Sequence, residues 1–280
     1  MPNFLYIGLS KSASTYIYQI CKEHPEIYMP VIKDIFFFDR EYERGLDWYQ
    51  RFFQTAPEHK AVGEISHDYL FQPEACKRIK QDLPNIKLIV CMREPLDWVV
   101  SKQDNEECRR MLAASTWLEF AQGKYAAQEM LLSQNLARYF DSFDQEQILV
   151  LFYDELKANP QAFCQKIYSF LGVDQEFKAE SLEKTILPAQ KPRFKLFAVL
   201  AQAFCDLCRF MGWQKLLGWL KNQEELDGLI FADKTEQDPI PVNERDDLIN
   251  YYASEVLGLQ NLNLELPSSW LEIYQRKEAK

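Results

Sequence analysis

The sequence predicts an α/β fold in which a central, mostly parallel sheet is flanked by helices. Short apolar runs alternate with amphipathic helical segments over roughly the first 175 residues, the pattern of repeated βαβ units. These runs lack polar alternation, as expected for strands covered by helices on both faces. Of the 280 residues, 47% are hydrophobic, which suffices for the core of one large domain. We expect a single domain over 1–280.

The first half of the chain supplies three strands and three helices. "NFLYIGL" is the first strand, and a helix follows from about Ser14 to Glu23, ended by His24–Pro25. A second strand starts near Ala61–Glu64, and the next helix opens on Pro73 at a first-turn position. "KLIVCMRE" is an unbroken apolar strand, typical of the centre of a parallel sheet. "LDWVVSKQDN" continues as a helix.

The second half begins with a longer helical region from about Trp117 to Phe140. "ILVLFYDEL" is the next buried strand. "PQAFCQKIYSFLGV" is an amphipathic helix closed by Gly172, a residue suited to a C-cap. "RDDLINYYASEVLGL" is the final helix, with Trp270 packed after it.

Composition excludes several classes of function. The net charge of −10 argues against sequence-independent nucleic-acid binding, which needs a basic field. The sequence contains no run of about 18 apolar residues, so no membrane span is expected. No leader is recognised at the start, and seven cysteines without regular spacing predict reduced thiols in the cytoplasm. Cys205 and Cys208 form a C-x-x-C inside an amphipathic helical stretch, so we predict no metal site there.

The turn after the first strand has the composition of an anion site. Free N–H groups and the dipole at a helix start attract an anion. Lys11 adds a full charge, and Ser12, Ser14 and Thr15 add hydroxyl donors. The spacing from Gly8 to the lysine differs from that of the ATPase P-loop. The alternative is an ordinary capped helix.

Arg93 lies just past a buried strand, where open α/β sheets place ligands, and its guanidinium can bind a phosphate bidentately. Ser101 follows two helical turns later and can add a hydroxyl. A surface ion pair is the alternative for Arg93. On a later loop, Lys191 and Arg193 are two further cations, or simply solvated side chains.

Three residues are candidates for the chemistry. Glu64 ends a short strand and is a candidate general base, and His67 is the other candidate because its ordinary pKa lies near neutrality. Lys33 precedes "DIFFFD" near the predicted cleft. The alternatives are a structural ion pair for Glu64, and a buried strand preceded by a solvated lysine for Lys33.

Taken together, these segments resemble the sulfotransferases that use 3′-phosphoadenosine 5′-phosphosulfate (PAPS), closest to the heparan-sulfate-type and bacterial carbohydrate-type branch. Six motifs carry the resemblance in order. They are Lys11–Thr15 against K-[ST]-G-T-T, His24–Pro25 against a helix-ending His-Pro, Lys33–Asp39 against K-E-x-x-F-F-D, Gly63–Leu70 against G-E-x-S-x-x-Y-L, Arg93–Pro95 with Ser101 against R-x-P followed by Ser, and Lys191–Arg193 against a late K-G-R loop.

The resemblance implies a P-loop-like three-layer fold and an enzyme that moves a sulfuryl group from PAPS to an acceptor hydroxyl. It implies a cofactor site with three parts. These are Lys11, Ser12, Ala13, Ser14 and Thr15 on the 5′-phosphosulfate, Arg93 and Ser101 on the 3′-phosphate, and Lys191 and Arg193 closing over the cofactor.

The resemblance also implies the catalytic roles. Glu64 would be the general base and Lys33 would support the transfer, while Lys11 would reach the leaving oxygen. Charge grows on that oxygen as the bond to sulfur breaks, so a fixed lysine there stabilises the transition state more than the ground state. No metal is required, because cations and N–H groups balance the charge.

This chain departs from the family pattern at several positions. Ala13 replaces the loop glycine, which implies strain if the turn needs a positive φ. Phe36 replaces a histidine common in the branch, which makes the acceptor side more apolar. The others are Trp98 for an arginine, Gln103 for a tyrosine and Pro192 for a glycine.

The prediction of the acceptor depends on how the apolar, partly basic region 194–222 is interpreted. The helical C-terminal part begins in this region. The region is interpreted as a core helix pair, as a wall of an apolar acceptor cleft, or as a helix resting on a membrane surface. We expect a hydroxyl on a small, lipid-like or carrier-tethered molecule, because a polyanionic glycan needs a basic trough. A P-loop small-molecule kinase and a catalytically inactive nucleotide-binding module are the alternative functions.

Overall fold

The computed structural model describes residues 1–53, 58–103, 116–182, 191–192, 231–232 and 240–275. Five parallel strands form the central sheet in the order β2-β3-β1-β4-β5. They are β1 (Phe4–Gly8), β2 (Ile27–Tyr28), β3 (Ala61–Ile65), β4 (Lys87–Met92) and β5 (Ile148–Phe152). A two-residue antiparallel ladder joins β6 (Lys191–Pro192) to β7 (Phe231–Ala232).

Eleven α-helices are defined within the described ranges. They are α1 (Ser14–Glu23), α2 (Leu46–Gln50), α3 (Pro73–Asp82), α4 (Pro95–Gln103), α5 (Trp117–Gln122), α6 (Lys124–Glu129), α7 (Leu132–Phe140), α8 (Tyr153–Ala158), α9 (Pro160–Leu171), α10 (Val242–Gly258) and α11 (Ser268–Tyr274). The predicted α/β class is confirmed.

The strands separate two hydrophobic cores, which gives the fold three layers. On β1, Phe4 and Tyr6 point into the core that contains α1 and α9. Leu5 and Ile7 point into the opposite core, with α3, α4, α7, α10 and α11. Both faces of β1 are buried, which explains why its sequence is continuously apolar.

Two local predictions, and the strand that was the alternative for the Lys33 segment, differ from the structure. The region from Trp117 to Phe140 is three helices, because Gly123 is extended (φ −57°, ψ 138°) and the chain turns again after Glu129. The segment "FFF" does not form a strand: its last two residues begin a helical turn, Phe37–Glu41. The strand over "ILVLFYDEL" ends at Phe152, where α8 begins.

The predictions for α1, for the end of α9 and for the burial of Trp270 are confirmed. α1 spans the predicted residues, and Gly172 ends α9 in the left-handed conformation (φ 76°). Trp270 is fully buried. Within the described ranges, no helix combines the length and apolarity needed to cross a membrane. Four cysteines in those ranges, Cys21, Cys76, Cys91 and Cys164, are buried free thiols.

Candidate active site

The candidate site lies at the carboxyl edge of the three central strands, where parallel sheets bind ligands. The loop after β1 carries Lys11, the segment after β3 carries His67, and the turn after β4 carries Arg93. Because β3, β1 and β4 are neighbours in the sheet, these three segments lie side by side. The structure thus brings together residues that are up to 82 positions apart.

Two residues of the loop between β1 and α1 have left-handed backbone conformations. Lys11 has φ 57° and Ala13 has φ 63°. A side chain with a Cβ pays about 1–2 kcal/mol for this conformation. The strain expected where Ala13 replaces the family glycine is therefore present, and the surroundings must hold the loop in place.

Side chains fix the orientation of four consecutive peptide groups in this loop. The carbonyl oxygens of residues 9 to 12 all accept side-chain hydrogen bonds, at 2.6–3.1 Å. The donors are Trp98 for Ser10, Arg93 for Lys11, and the Tyr6 hydroxyl, whose single hydrogen is shared between the Leu9 and Ser12 oxygens, each 2.8 Å away. With its carbonyls held by protein donors, the loop is preorganised next to the N-terminus of α1, an arrangement that favours an anion.

Arg93 joins the loop to the end of β4. Its Nη1 donates to the Lys11 carbonyl oxygen at 2.6 Å, and its guanidinium lies 4.5 Å from the centre of the Tyr153 ring. Its Nε is buried and has no hydrogen-bond partner among the described residues. An unsatisfied buried donor is costly unless a ligand completes it. This orphaned group fits an anionic ligand beside the loop.

Sequence reasoning missed a buried charged pair behind the loop. Lys102 Nζ lies 2.7 Å from Glu129 Oε2 and donates to Ser10 Oγ at 2.6 Å. Glu129 Oε1 accepts the Ser10 N–H at 3.0 Å. The available signal was a lysine placed three and four residues after Val99 and Trp98, both fully buried, on the inward face of a helix.

Glu64 lies below the surface and is only 1% exposed. Three hydroxyl groups donate to its carboxylate: those of Tyr49, Ser66 and Tyr69. Burial raises the pKa of Glu64 to about 7, although these hydroxyl donors act in the opposite direction. The residue is thus enclosed, with both carboxylate oxygens engaged by the protein itself.

His67 and Asp34 form a pair that is more accessible than Glu64. His67 Nδ1 lies 2.8 Å from Asp34 Oδ1, and the side chains are 24% and 15% exposed. Lys33 Nζ lies 3.4 Å from the other oxygen of Asp34. Burial opposes ionisation, but the charge of Lys33 and the contact with His67 outweigh it, so the pKa of Asp34 falls well below its usual range.

A second carboxylate faces the other side of the same imidazole. Asp68 Oδ1 lies 3.4 Å from His67 Nε2, and Asp68 is also paired with Arg40. The Arg40 guanidinium lies 3.8 Å from the centre of the Phe36 ring, which in turn meets His67 edge-on at 5.3 Å. Phe36 is thereby fixed as a half-buried aromatic wall beside His67.

The structure describes some of the predicted site residues in full, one by its backbone alone, and others not at all. Lys11 is exposed, Ser12 and Ser14 are buried, and Thr15 is half-buried. Ser101 lies half-buried on α4. Lys191 lies in β6, where the backbone alone is described, whereas Arg193 and the region 194–222 fall outside the described residues.

The last helix braces the residues on either side of Arg93. Tyr274 donates to Glu94, whose carboxylate also caps the first turn of α4 by accepting from Leu96 N at 3.0 Å and Asp97 N at 2.9 Å. Trp270 Nε1 donates to Asp154 at 3.0 Å. Asp154 follows Tyr153, so α11 ties down both Arg93 and the ring on which it stacks.

A strand–loop–helix turn with cationic side chains at the ends of neighbouring parallel strands is suited to an anionic ligand such as a nucleotide phosphate. A family model described as "Sulfotransferase domain" matches residues 1–202. The chain therefore belongs to the sulfotransferase family, as the motifs predicted.

Similar proteins were found in both sequence and structure comparisons. The membrane-associated sulfotransferase kil1 of Dictyostelium discoideum is 31% identical over 105 residues, 36% of this chain and 22% of that protein. The human bifunctional heparan sulfate N-deacetylase/N-sulfotransferase 3 is 28% identical over 196 residues, 62% of this chain. This chain spans 22% of the length of each.

A solved structure extends the likeness to nearly the whole chain. The sulfotransferase from Alicyclobacillus acidocaldarius superposes with a TM-score of 0.65 at 21% identity, covering 96% of this chain and 98% of that one. At this identity the likeness establishes the fold, which is the P-loop-like three-layer fold that the motifs implied.

Proposed function

We propose that this protein transfers a sulfuryl group from PAPS to an acceptor hydroxyl by in-line displacement. The observation that supports this most is the hydrogen bond from Arg93 to the Lys11 carbonyl oxygen. It holds a guanidinium beside the loop, and the buried Nε of Arg93 has no partner among the described residues. Membership of the sulfotransferase family supports the same conclusion.

Bound PAPS would supply the sulfuryl group and the phosphate oxygen that leaves. Lys11, together with residues 12–15 at the start of α1, would hold the 5′-phosphosulfate and offset the charge that develops on the leaving oxygen. Arg93 and Ser101 would hold the 3′-phosphate. The closing role of Lys191 and Arg193 stays a prediction.

The proton of the acceptor hydroxyl needs a base that the acceptor can reach. The burial of Glu64 and its three hydroxyl donors favour His67 over Glu64 for this role. With Nδ1–H donating to Asp34, Nε2 of His67 is available to take the proton once the acceptor replaces its 3.4 Å contact with Asp68. Asp34, ionised beside Lys33, would orient the ring.

We infer an acceptor with an apolar portion next to its hydroxyl. Phe36 stands beside His67 where the related branch has a histidine, and the two rings meet edge-on with their centres 5.3 Å apart. The net charge of −10 disfavours a polyanionic glycan. A small, lipid-like or carrier-tethered molecule fits both features, and the buried free thiols fit a reducing, cytoplasmic setting.

Isothermal calorimetry with 3′-phosphoadenosine 5′-phosphate (PAP) tests the donor. We expect wild type to bind PAP but not ATP with magnesium, and we expect Lys11→Ala and Arg93→Ala to weaken binding. A protein that binds ATP–magnesium and not PAP is a P-loop kinase, and one that binds PAP without turnover on any acceptor is a binding module.

Initial rates with labelled PAPS against panels of acceptors test the substrate class. We expect turnover on apolar alcohols and tethered acyl chains to exceed turnover on anionic glycans. Preference for the glycans would refute the proposed acceptor while leaving the transfer chemistry intact.

A further inference from the structure

Ser10 is held at every one of its polar groups. Its N–H donates to Glu129, its hydroxyl accepts from Lys102, and its carbonyl oxygen accepts from Trp98. Trp98 and Lys102 come from α4, and Glu129 comes from α6, so two helices converge on one residue of the loop.

The two charged members of this cluster are removed from water, since Lys102 is 8% exposed and Glu129 is fully buried. A buried ion pair adds little net stability, because desolvation offsets the attraction between the charges. What such a pair does supply is a defined geometry. Here the geometry is needed, because Lys11 and Ala13 stand in left-handed conformations that persist only when the surroundings impose them.

We propose that Lys102, paired with Glu129, is a positioning residue that sets the loop through Ser10 for the nucleotide. Lys102 directly follows Ser101 on α4, so one helical segment would both anchor the 5′-loop and carry a ligand for the 3′-phosphate. Because Glu129 balances its charge, Lys102 acts by placement and not as a phosphate ligand. This inference rests on the proposed function and names how that site is shaped.

Calorimetry with PAP on the full chain tests the proposal. We expect Lys102→Met to raise the Kd for PAP about tenfold, as for one lost charge-assisted hydrogen bond. In assays, the KM for PAPS should rise by the same factor, while the KM for the acceptor stays unchanged.

Two double variants separate placement from folding and from direct contact. Lys102→Met with Glu129→Gln removes both buried charges, so thermal stability should recover while PAP binding stays weak. Lys102→Met with Ser10→Ala should bind PAP no more weakly than Lys102→Met alone, because both changes break the same link. Additive losses would instead make Lys102 a direct ligand and overturn the proposal.

Glu255→Gln is the matched control. This carboxylate accepts from Ser133 N at 3.0 Å and Ser133 Oγ at 2.7 Å, where α10 packs on α7, and its loss should lower the melting temperature without changing the Kd. If wild type binds PAP and the Lys102→Met and Glu129→Gln pair binds equally well, this inference is wrong. If wild type does not bind PAP, the proposed function fails first.

Discussion

Glu64 and Asp34 are two carboxyl groups near the same edge of the sheet, and their surroundings shift them in opposite directions. Glu64 is enclosed by neutral hydroxyl donors, and burial raises its pKa to about 7. Asp34 lies between Lys33 and His67, and the charge of Lys33 together with the hydrogen bond to His67 overcomes burial and lowers the pKa of Asp34. The comparison teaches that a neighbouring cation, and not the number of hydrogen bonds alone, decides which of the two buried carboxyl groups stays ionised.

The largest expected effect separates the two groups by catalysis. His67→Ala should lower kcat by about 10²- to 10⁴-fold, the usual contribution of a positioned base. If His67 is the base as proposed, Glu64→Gln should stay close to wild type, because the Glu64 carboxylate is already engaged by three hydroxyl donors. Steady-state rates with labelled PAPS measure both, and calorimetry should find the Kd for PAP unchanged in each variant. The reverse order of rates would return the role of base to Glu64.

The second expected effect is the contribution of Glu64 to the pH dependence of the free energy of unfolding. The unfolded Glu64 carboxyl ionises near its ordinary pKa of 4.5, whereas the folded one keeps its proton to about 7. The free energy of unfolding should therefore fall by about 3 kcal/mol as the pH rises through this window. Urea titrations should find this dependence in wild type and much less of it in Glu64→Gln.

Asp34→Asn is the matched variant, and its effect on the free energy of unfolding should depend on pH in the opposite direction. Because folding lowers the pKa of Asp34, its contribution is present above its ordinary pKa of 3.8 and is lost as the pH falls toward the lower folded pKa. The variant should be less stable than wild type at neutral pH and should close that gap in acid. Equal differences at both pH values would contradict the assigned direction.

A smaller effect tests the hydroxyl enclosure of Glu64. Tyr49→Phe should cost about 1 kcal/mol at pH 5, where Glu64 is neutral, and about 2 kcal/mol at pH 8, where it is charged. Tyr139→Phe is the control, because its hydroxyl donates to the neutral Tyr69 carbonyl oxygen at 2.8 Å. Its cost, measured by urea unfolding, should not change between the two pH values.

The smallest effect concerns the wall beside Asp34 and His67. Phe36→Leu removes the stacking of Arg40, which is worth about 0.5–1 kcal/mol at a partly exposed site. The KM for apolar acceptors should rise while kcat changes little. A variant whose acceptor preference matches wild type would remove Phe36 from the acceptor site.

Local patterns predicted the fold well because the strands are buried on both faces. β1, β4, α1 and α9 follow from continuous apolar runs, caps and helical periodicity. The two-residue β2 could not be predicted from such patterns, because it is defined by its pairing with β3. The break at Gly123 was missed for a related reason: a helical period continues across it.

The site was less predictable, because its decisive contacts are distant in sequence. The motifs located Lys11, Arg93 and Glu64, whereas His67 was a candidate only because of the ordinary pKa of an imidazole. None of them gave an indication that Glu64 is enclosed by Tyr49. The link between Lys102 and Ser10 spans 92 positions, and that between Lys102 and Glu129 spans 27. Asp34 could have been found, since it occupies the acidic position of the K-E-x-x-F-F-D motif.

The brace formed by α11 lies beyond residue 202, where the family match ends. Two proteins that share every motif of the matched region can therefore differ in how firmly the strand-end arginine is seated, according to their closing helix. In grafting experiments that exchange C-terminal segments between relatives, Trp270 and Tyr274 would have to travel with Asp154 and Glu94 for donor affinity to be inherited.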